Sequence, residues 1–256
     1  MTDVNTRRAC QFSCGAASAV ATKLTLANYP DVVIINAFLK EEDEDNRRFL
    51  EDCERWFRHP ITIVRDTEYG ASTLEVFRRK RFIKGLHGAP CSMLLKRRLL
   101  SLAVSTEDIR VIGYTSDEED RAYDLVENFP DERFEFPLID YGLDKSDCLA
   151  LVNDAGIELP RMYRMGYDNA NCIGCPKGGQ NYWQRIRRDF PERFHQFKII
   201  QEDIGSGANF LRFRSGPRIG ERMSLAELPE GDGNLAEEQS FSCSFYCEGA
   251  KGDLSQ

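Results

Sequence analysis

The chain has 256 residues, 41% of them hydrophobic and 30% charged, and carries a net charge of −8. That length suits one large α/β domain, or one domain plus an extension, and the balance is that of a globular chain. The negative charge excludes a protein coated in positive charge for gripping DNA without regard to sequence. Local basic runs remain at 78–81, 96–98 and 185–188, and each reads first as a solvated helix face. No stretch approaches the roughly 20 apolar residues of a membrane span. The opening residues, MTDVNTRRACQFS, lack the apolar core of a secretion signal. With nine cysteines in the chain, this points to a reducing cytoplasm, where thiols serve metals or redox chemistry more often than disulfides.

In chain order, residues 9–12 read as a short strand and 17–27 as a helix, with FSCGAAS (12–18) between them. DVVIINAFL (31–39) is a continuous apolar run rich in β-branched residues, as expected of a strand buried on both faces. Phe49, Leu50, Cys53, Trp56 and Phe57 recur at helical spacing in the next segment. ITIVRD (61–66) is a second buried strand, followed by helical stretches around 73–81 and 92–104. IRVIGYTS (109–116) is a third, 118–128 a further helix, and 134–139 a short strand. Strands alternating with helices imply right-handed crossovers and a mainly parallel, doubly wound, Rossmann-like α/β sheet. No internal repeat is evident. Residues 1–200 form the α/β domain with its cysteine-rich segment. Residues 201–256, rich in Gly, Pro and Glu, read as an irregular C-terminal extension carrying a C-x3-C pair.

FSCGAAS has the form S-x-G-x-x-S, at the first βα turn and the carboxyl end of a strand, where ligands of such folds bind. Free N–H groups and the positive end of the following helix suit a phosphate there. By itself the pattern is balanced by a plain alternative, since small residues also let a strand and a helix pack closely.

NCIGCPKGG places Cys172 and Cys175 in a C-x-x-C turn whose small residues let backbone N–H groups point at the sulfurs. A second pair, Cys243 and Cys247, lies in SCSFYC. Cys91 opens GAPCSMLLKRRL at a helix start, where the dipole favours a thiolate. Cys53 and Cys148 fall on apolar helix faces and read as core residues; Cys10 is either a strand residue or a surface thiol. Of the histidines, His59, His87 and His195, only His87 lies near this chemistry, and a loop hydrogen bond accounts for it. GGQNYWQRIRRDFPERF (178–194) mixes basic and aromatic residues as a nucleic-acid surface does. Its Tyr182, Trp183, Ile186 and Phe190, however, keep helical spacing and read first as core.

Four segments together resemble the phosphoadenylylsulfate reductases and their relatives, a family of the adenine nucleotide α-hydrolase superfamily. PLIDYGLDKSDCLALVNDAGIELPRMYRMGYDNANCIGC (137–175) is similar to the family's P-I-x-x-W…D-V…Y-x-x-G-Y…G-C-x-x-C. FSCGAAS resembles its PP-loop, S-G-G-x-D-S. PCSMLLKRRL resembles the cysteine-plus-basic segment of the iron–sulfur members, and GYTSDEEDR (113–121) the loop after a central strand. They occur in family order over about 10–175.

The resemblance implies an adenine nucleotide such as ATP lying across Ser13, Cys14, Gly15, Ala16, Ala17 and Ser18, with Gly113 nearby. It also implies a 4Fe–4S cluster on Cys91, Cys172 and Cys175. Cys243 or Cys247 would supply a fourth ligand, or one iron would stay open; zinc is the alternative metal. Lys96, Arg97 and Arg121 would clamp phosphate or sulfate oxygens. Ala17 stands where the PP-loop has aspartate. Cys14 stands where it has glycine, which would put a thiol close to the phosphates. The expected activity is ATP-dependent activation of an acceptor, a nucleic acid or a small molecule, for sulfur transfer. Two alternatives are a sulfonucleotide reductase using Cys247 or Cys243 with a thioredoxin-like reductant, and a non-catalytic nucleotide- or nucleic-acid-binding module. The reductases' E-C-G-L-H segment has no good counterpart at Cys247.

Overall fold

The computed structural model describes residues 6–85, 88–238 and 241; His87, Cys243 and Cys247 lie outside the described residues. In chain order the elements are β1 (Arg8–Gln11), α1 (Ala16–Asn28), β2 (Val32–Ala37), α2 (Asp45–Phe57) and β3 (Ile61–Val64). Then come α3 (Thr73–Lys80), α4 (Pro90–Ser92), a π turn (Met93–Arg97), α5 (Arg98–Ala103) and β4 (Ile109–Val111). They are followed by α6 (Glu119–Asn128), β5 (Arg133–Glu135), α7 (Pro137–Asp140), α8 (Lys145–Asp154) and α9 (Arg161–Arg164). The last are α10 (Gln180–Asp189), α11 (Pro191–Ile204), β6 (Leu211–Arg212) and β7 (Arg222–Met223). Interleaved segments build two compact units, Met1–Phe38, Glu44–Arg65 and Arg98–Met165 in the first, Leu39–Asp43, Asp66–Arg97 and Gly166–Gln256 in the second.

The first unit is a doubly wound, Rossmann-like α/β fold. Its five strands are all parallel, in the order β3-β2-β1-β4-β5. The chain leaves the central β1 towards β2 and β3, then returns to place β4 on β1's other side. The reversal puts a topological switch point between the carboxyl ends of β1 and β4, the place where open parallel sheets bind ligands. Cys10 and Phe12 face α1, α2 and α8 in one apolar cluster with Ile34, Phe49, Phe57, Leu138 and Val152. The Phe12 ring lies 6.3 Å from Phe49 and meets Phe57 edge-on at 5.7 Å. Phe49, Leu50, Cys53 and Phe57 are buried as their spacing requires. The expected strand over 134–139 ends at Glu135. Pro137, with no N–H for a ladder and its φ already near the helical value, starts α7 instead.

The second unit is organised around Trp183 on α10, whose ring contacts Phe197 (4.9 Å), Phe210 (5.3 Å) and Phe194 (6.2 Å); Phe77 on α3 joins through Phe197. Residues beyond 200 contribute a two-stranded antiparallel pair, β6–β7, and buried Leu211, Met223, Leu225 and Leu228. The buried Gln201 ties this stretch to α11: its Nε2 donates to Ala208 O and its Oε1 accepts from Leu225 N–H. Among the described residues, no helix is long and apolar enough to cross a membrane.

Candidate nucleotide loop and thiol cavity

FSCGAAS forms the turn from β1 into α1. Gly15 is the N-cap residue, and α1 has no acidic group in its first turn, so Ala17 leaves the positive end of the helix without a carboxylate. Ser18 locks the turn from inside: its Oγ accepts from Ser13 N–H (3.2 Å) and Ser13 O–H (3.2 Å) and donates to Gly15 O (2.9 Å). Cys14 takes φ +57°, the left-handed region that favours glycine. Its thiol is turned into the protein interior, contrary to expectation. It is fully buried in the apolar cluster under α1, 3.4 Å from Asn36 Nδ2. The same amide donates to Phe12 O at 2.8 Å, so Asn36, at the end of β2, fixes both residues that flank Ser13.

Tyr163 approaches the loop from α9. Its hydroxyl accepts from Ala16 N–H at 3.4 Å, and a Cβ on Gly15 would stand 3.3 Å from it. Three hydroxyls, on Ser13, Ser18 and Tyr163, therefore surround the start of α1. The segment bearing Tyr163 is pinned to the start of α2. Asp45 Oδ2 accepts from Arg161 N–H (2.7 Å), and Arg48 donates to Glu158 O (3.0 Å) and Leu159 O (3.2 Å). Asp45 and Arg48 also pair at 2.7 Å. The Arg48 guanidinium and the Arg161 amide hold the Asp45 carboxyl down at about 2 against the desolvation that opposes them.

On the other side of the switch point, Gly113 follows β4. A Cβ there would lie 2.9 Å from Ser18 Cα, so only glycine lets the start of α1 pack against this loop. Thr115 N–H and O–H both donate to Glu118 Oε2 at 3.1 Å. Arg121 lies over the Tyr114 ring (4.3 Å) and pairs with Glu118. Gln11, two residues before Ser13, is buried, and neither polar atom of its carboxamide has a partner among the described residues.

In the second unit Cys91, Cys172 and Cys175 line one cavity together with Lys96, Lys177, Ser92 and Thr73. Cys91 lies in α4, which passes directly into the π turn carrying Lys96; such turns re-aim side chains and recur at functional sites. Lys96 is buried with its Nζ 4.0 Å from Glu42 Oε1. Among the described residues, no three His, Cys, Asp or Glu groups are gathered as a ligand set for one metal ion.

The Cys172–Cys175 turn departs from expectation in one respect. The N–H groups of Gly174 and Cys175 both donate to Tyr182 Oη at 3.1 Å, and the Tyr182 O–H donates to Cys172 O at 3.0 Å. Burial pushes the Tyr182 phenol well above its usual range, so it keeps the proton that it donates. Phe241, two residues before Cys243, is docked close by. Its carbonyl accepts from Asn169 and Asn171 Nδ2 (2.8 and 3.1 Å), and its ring meets Tyr182 edge-on at 5.0 Å.

Cys10, Cys53 and Cys148 are buried in the first unit, and desolvation raises all three thiols, Cys10 and Cys148 to about 12. They are packing residues. Tyr182, Trp183 and Ile186 are buried on α10, so the core reading of that helix holds. Sequence spacing did not single out Tyr163, Asn36 or Gln11, which lie far from FSCGAAS in the chain or inside a strand. Strand alternation does place Gln11 on the same face as Ser13, and that signal could have found it. No protein-family model matches the chain, and no curated protein matches it.

Proposed function

We propose that the protein is an adenine-nucleotide-binding iron–sulfur enzyme that uses ATP to activate an acceptor for sulfur transfer. The observation that carries the reading is the convergence of Cys91, Cys172 and Cys175, from distant parts of the chain, on one cavity with the buried Lys96. Three thiols and a buried lysine gathered on one cavity suit a soft metal centre, whose ligands are thiolates.

The nucleotide half rests on the loop at the switch point. The positive end of α1 suits a phosphate, with the Tyr163 hydroxyl standing over it; the hydroxyls of Ser13 and Ser18, bonded within the loop in the ligand-free chain, would turn outward to reach one. An acceptor oxygen attacks the α-phosphorus, the bond from that phosphorus to the α,β-bridging oxygen breaks, and pyrophosphate leaves with the electron pair. The acceptor is left as an adenylate, ready for displacement of AMP by sulfur. Arg121, stacked on Tyr114 and paired with Glu118, would have to leave both to reach the departing charge. Cys91, Cys172 and Cys175 would hold the cluster, and Cys243 or Cys247 would complete it. When bound, the cluster supplies a soft site for sulfur, or braces the cavity if fully ligated.

Two assays on anaerobically purified protein test the reading. Iron and sulfide are expected in matching amounts, about four of each, and ATP should release pyrophosphate once a competent acceptor is present. Zinc in place of iron would make the thiol site structural. Nucleotide binding with no turnover on any nucleic-acid or small-molecule acceptor would remove the reaction.

A further inference from the structure

A tyrosine hydroxyl has one hydrogen to give and two lone pairs to fill. Tyr182 uses all three on the Cys172–Cys175 turn, giving its hydrogen to Cys172 O and accepting from the N–H groups of Gly174 and Cys175; the Cys175 N–H is shared with Cys172 O, at 3.1 Å. These amides, at the second and third positions after the first cysteine, are the ones a C-x-x-C turn offers to a ligand sulfur. The surroundings allow the hydroxyl little latitude. Gly174 has φ +84°, and a Cβ on it would stand 2.7 Å from the Phe197 ring; a Cβ on Gly178 would stand 2.1 Å from the Tyr182 ring. Tyr182 is therefore built against the turn, and the turn against Tyr182.

We propose that Tyr182 is a positioning residue for the thiol centre: it fixes the conformation of the Cys172–Cys175 turn and takes up the Gly174 N–H, a donor that a C-x-x-C turn otherwise offers to sulfur. The inference rests on the reading of the cavity as a metal centre, but the hydrogen-bond geometry does not. An N–H···S bond stabilises the reduced, more negative form of an iron–sulfur centre, so occupying the Gly174 donor would keep its reduction potential low.

The test compares Tyr182→Phe, which keeps the ring and removes the hydroxyl, with Phe197→Leu, which loosens the same aromatic cluster and leaves the hydroxyl in place. Two readouts are taken on the full chain: the reduction potential of the iron-loaded protein, and hydrogen exchange at individual backbone amides without metal. In Y182F the potential should move to a more positive value, and exchange at Gly174 should rise at least about tenfold more than in F197L, as loss of roughly 1.4 kcal/mol of local protection requires. A potential equal to wild type, or exchange rising evenly across the unit as in F197L, would overturn the proposal. If the wild-type protein takes up no iron, the metal reading fails by itself, and exchange at the Gly174 amide still decides whether Tyr182 fixes the turn.

Discussion

The hydroxyl of Tyr163 stands 3.3 Å from the position a Cβ on Gly15 would occupy, and it accepts the Ala16 N–H at 3.4 Å. Gly15 has φ −106°, which any residue adopts, so glycine is needed here for space and not for backbone freedom. Gly15→Ala should leave the fold intact and push Tyr163 off the loop. ATP affinity, measured by titration calorimetry, is expected to fall about tenfold, as for a misplaced contact worth roughly 1.4 kcal/mol. Tyr163→Phe should lower affinity in the same direction without the steric component, and G15A should add little to Y163F in the double variant.

Asn36 holds Phe12 O and Cys14 Sγ with one amide. Asn36→Ala leaves a buried carbonyl without its donor, at a cost of about 1–3 kcal/mol. The expected result is a lower urea midpoint with unchanged m-value. Cys14→Gly relaxes the left-handed backbone but empties packing space beneath α1. Its net effect should be smaller than that of N36A.

Gln11 is a buried carboxamide with no partner on either polar atom among the described residues. Gln11→Leu should therefore stabilise the ligand-free protein by about 1–3 kcal/mol, the cost of an unsatisfied buried polar group. If the carboxamide serves the nucleotide, the same variant gains less stabilisation from saturating ATP than wild type does. Thermal shifts with and without ATP measure both quantities.

Asp45 carries a pH dependence. Its carboxyl is lowered in the folded state to about 2 from the ordinary 3.8, first by Arg48. The unfolded chain thus binds a proton more readily than the folded one. The stabilisation is present in full above the ordinary carboxylate range and is lost as pH falls through about 2. Asp45→Asn should flatten the stability profile between roughly pH 4 and pH 2, read from urea midpoints at each pH. Because Asp45 also accepts Arg161 N–H, D45N should weaken ATP binding at neutral pH through the displaced Tyr163 segment.

Gly178→Ala forces a methyl group into the Tyr182 ring, 2.1 Å away. Overpacking of this kind costs about 1–3 kcal/mol. The expected result is a lower thermal midpoint, together with faster loss of bound iron to a chelator.

Much of the fold was legible in one dimension. The apolar runs of β2 and β3, the helical spacing of Phe49, Cys53 and Phe57, and the small residues of FSCGAAS report local preference and burial, and these repeat along the chain with fixed periods. The C-x-x-C pair was legible for the same reason, since its geometry is set within four residues. The conformation of Cys14 was not. Its residue type suggested a thiol near the phosphates, but packing beneath α1 and the amide of Asn36 turned it inward. Nor could the sequence show that Tyr182 takes the donors of the Cys172–Cys175 turn, or that Tyr163 stands over Gly15. Those contacts join elements whose separation along the chain carries no signal. Local sequence determined the strands, the loop and the thiols; tertiary packing decided which hydroxyls and amides reach them, because a hydrogen bond depends on distance in space.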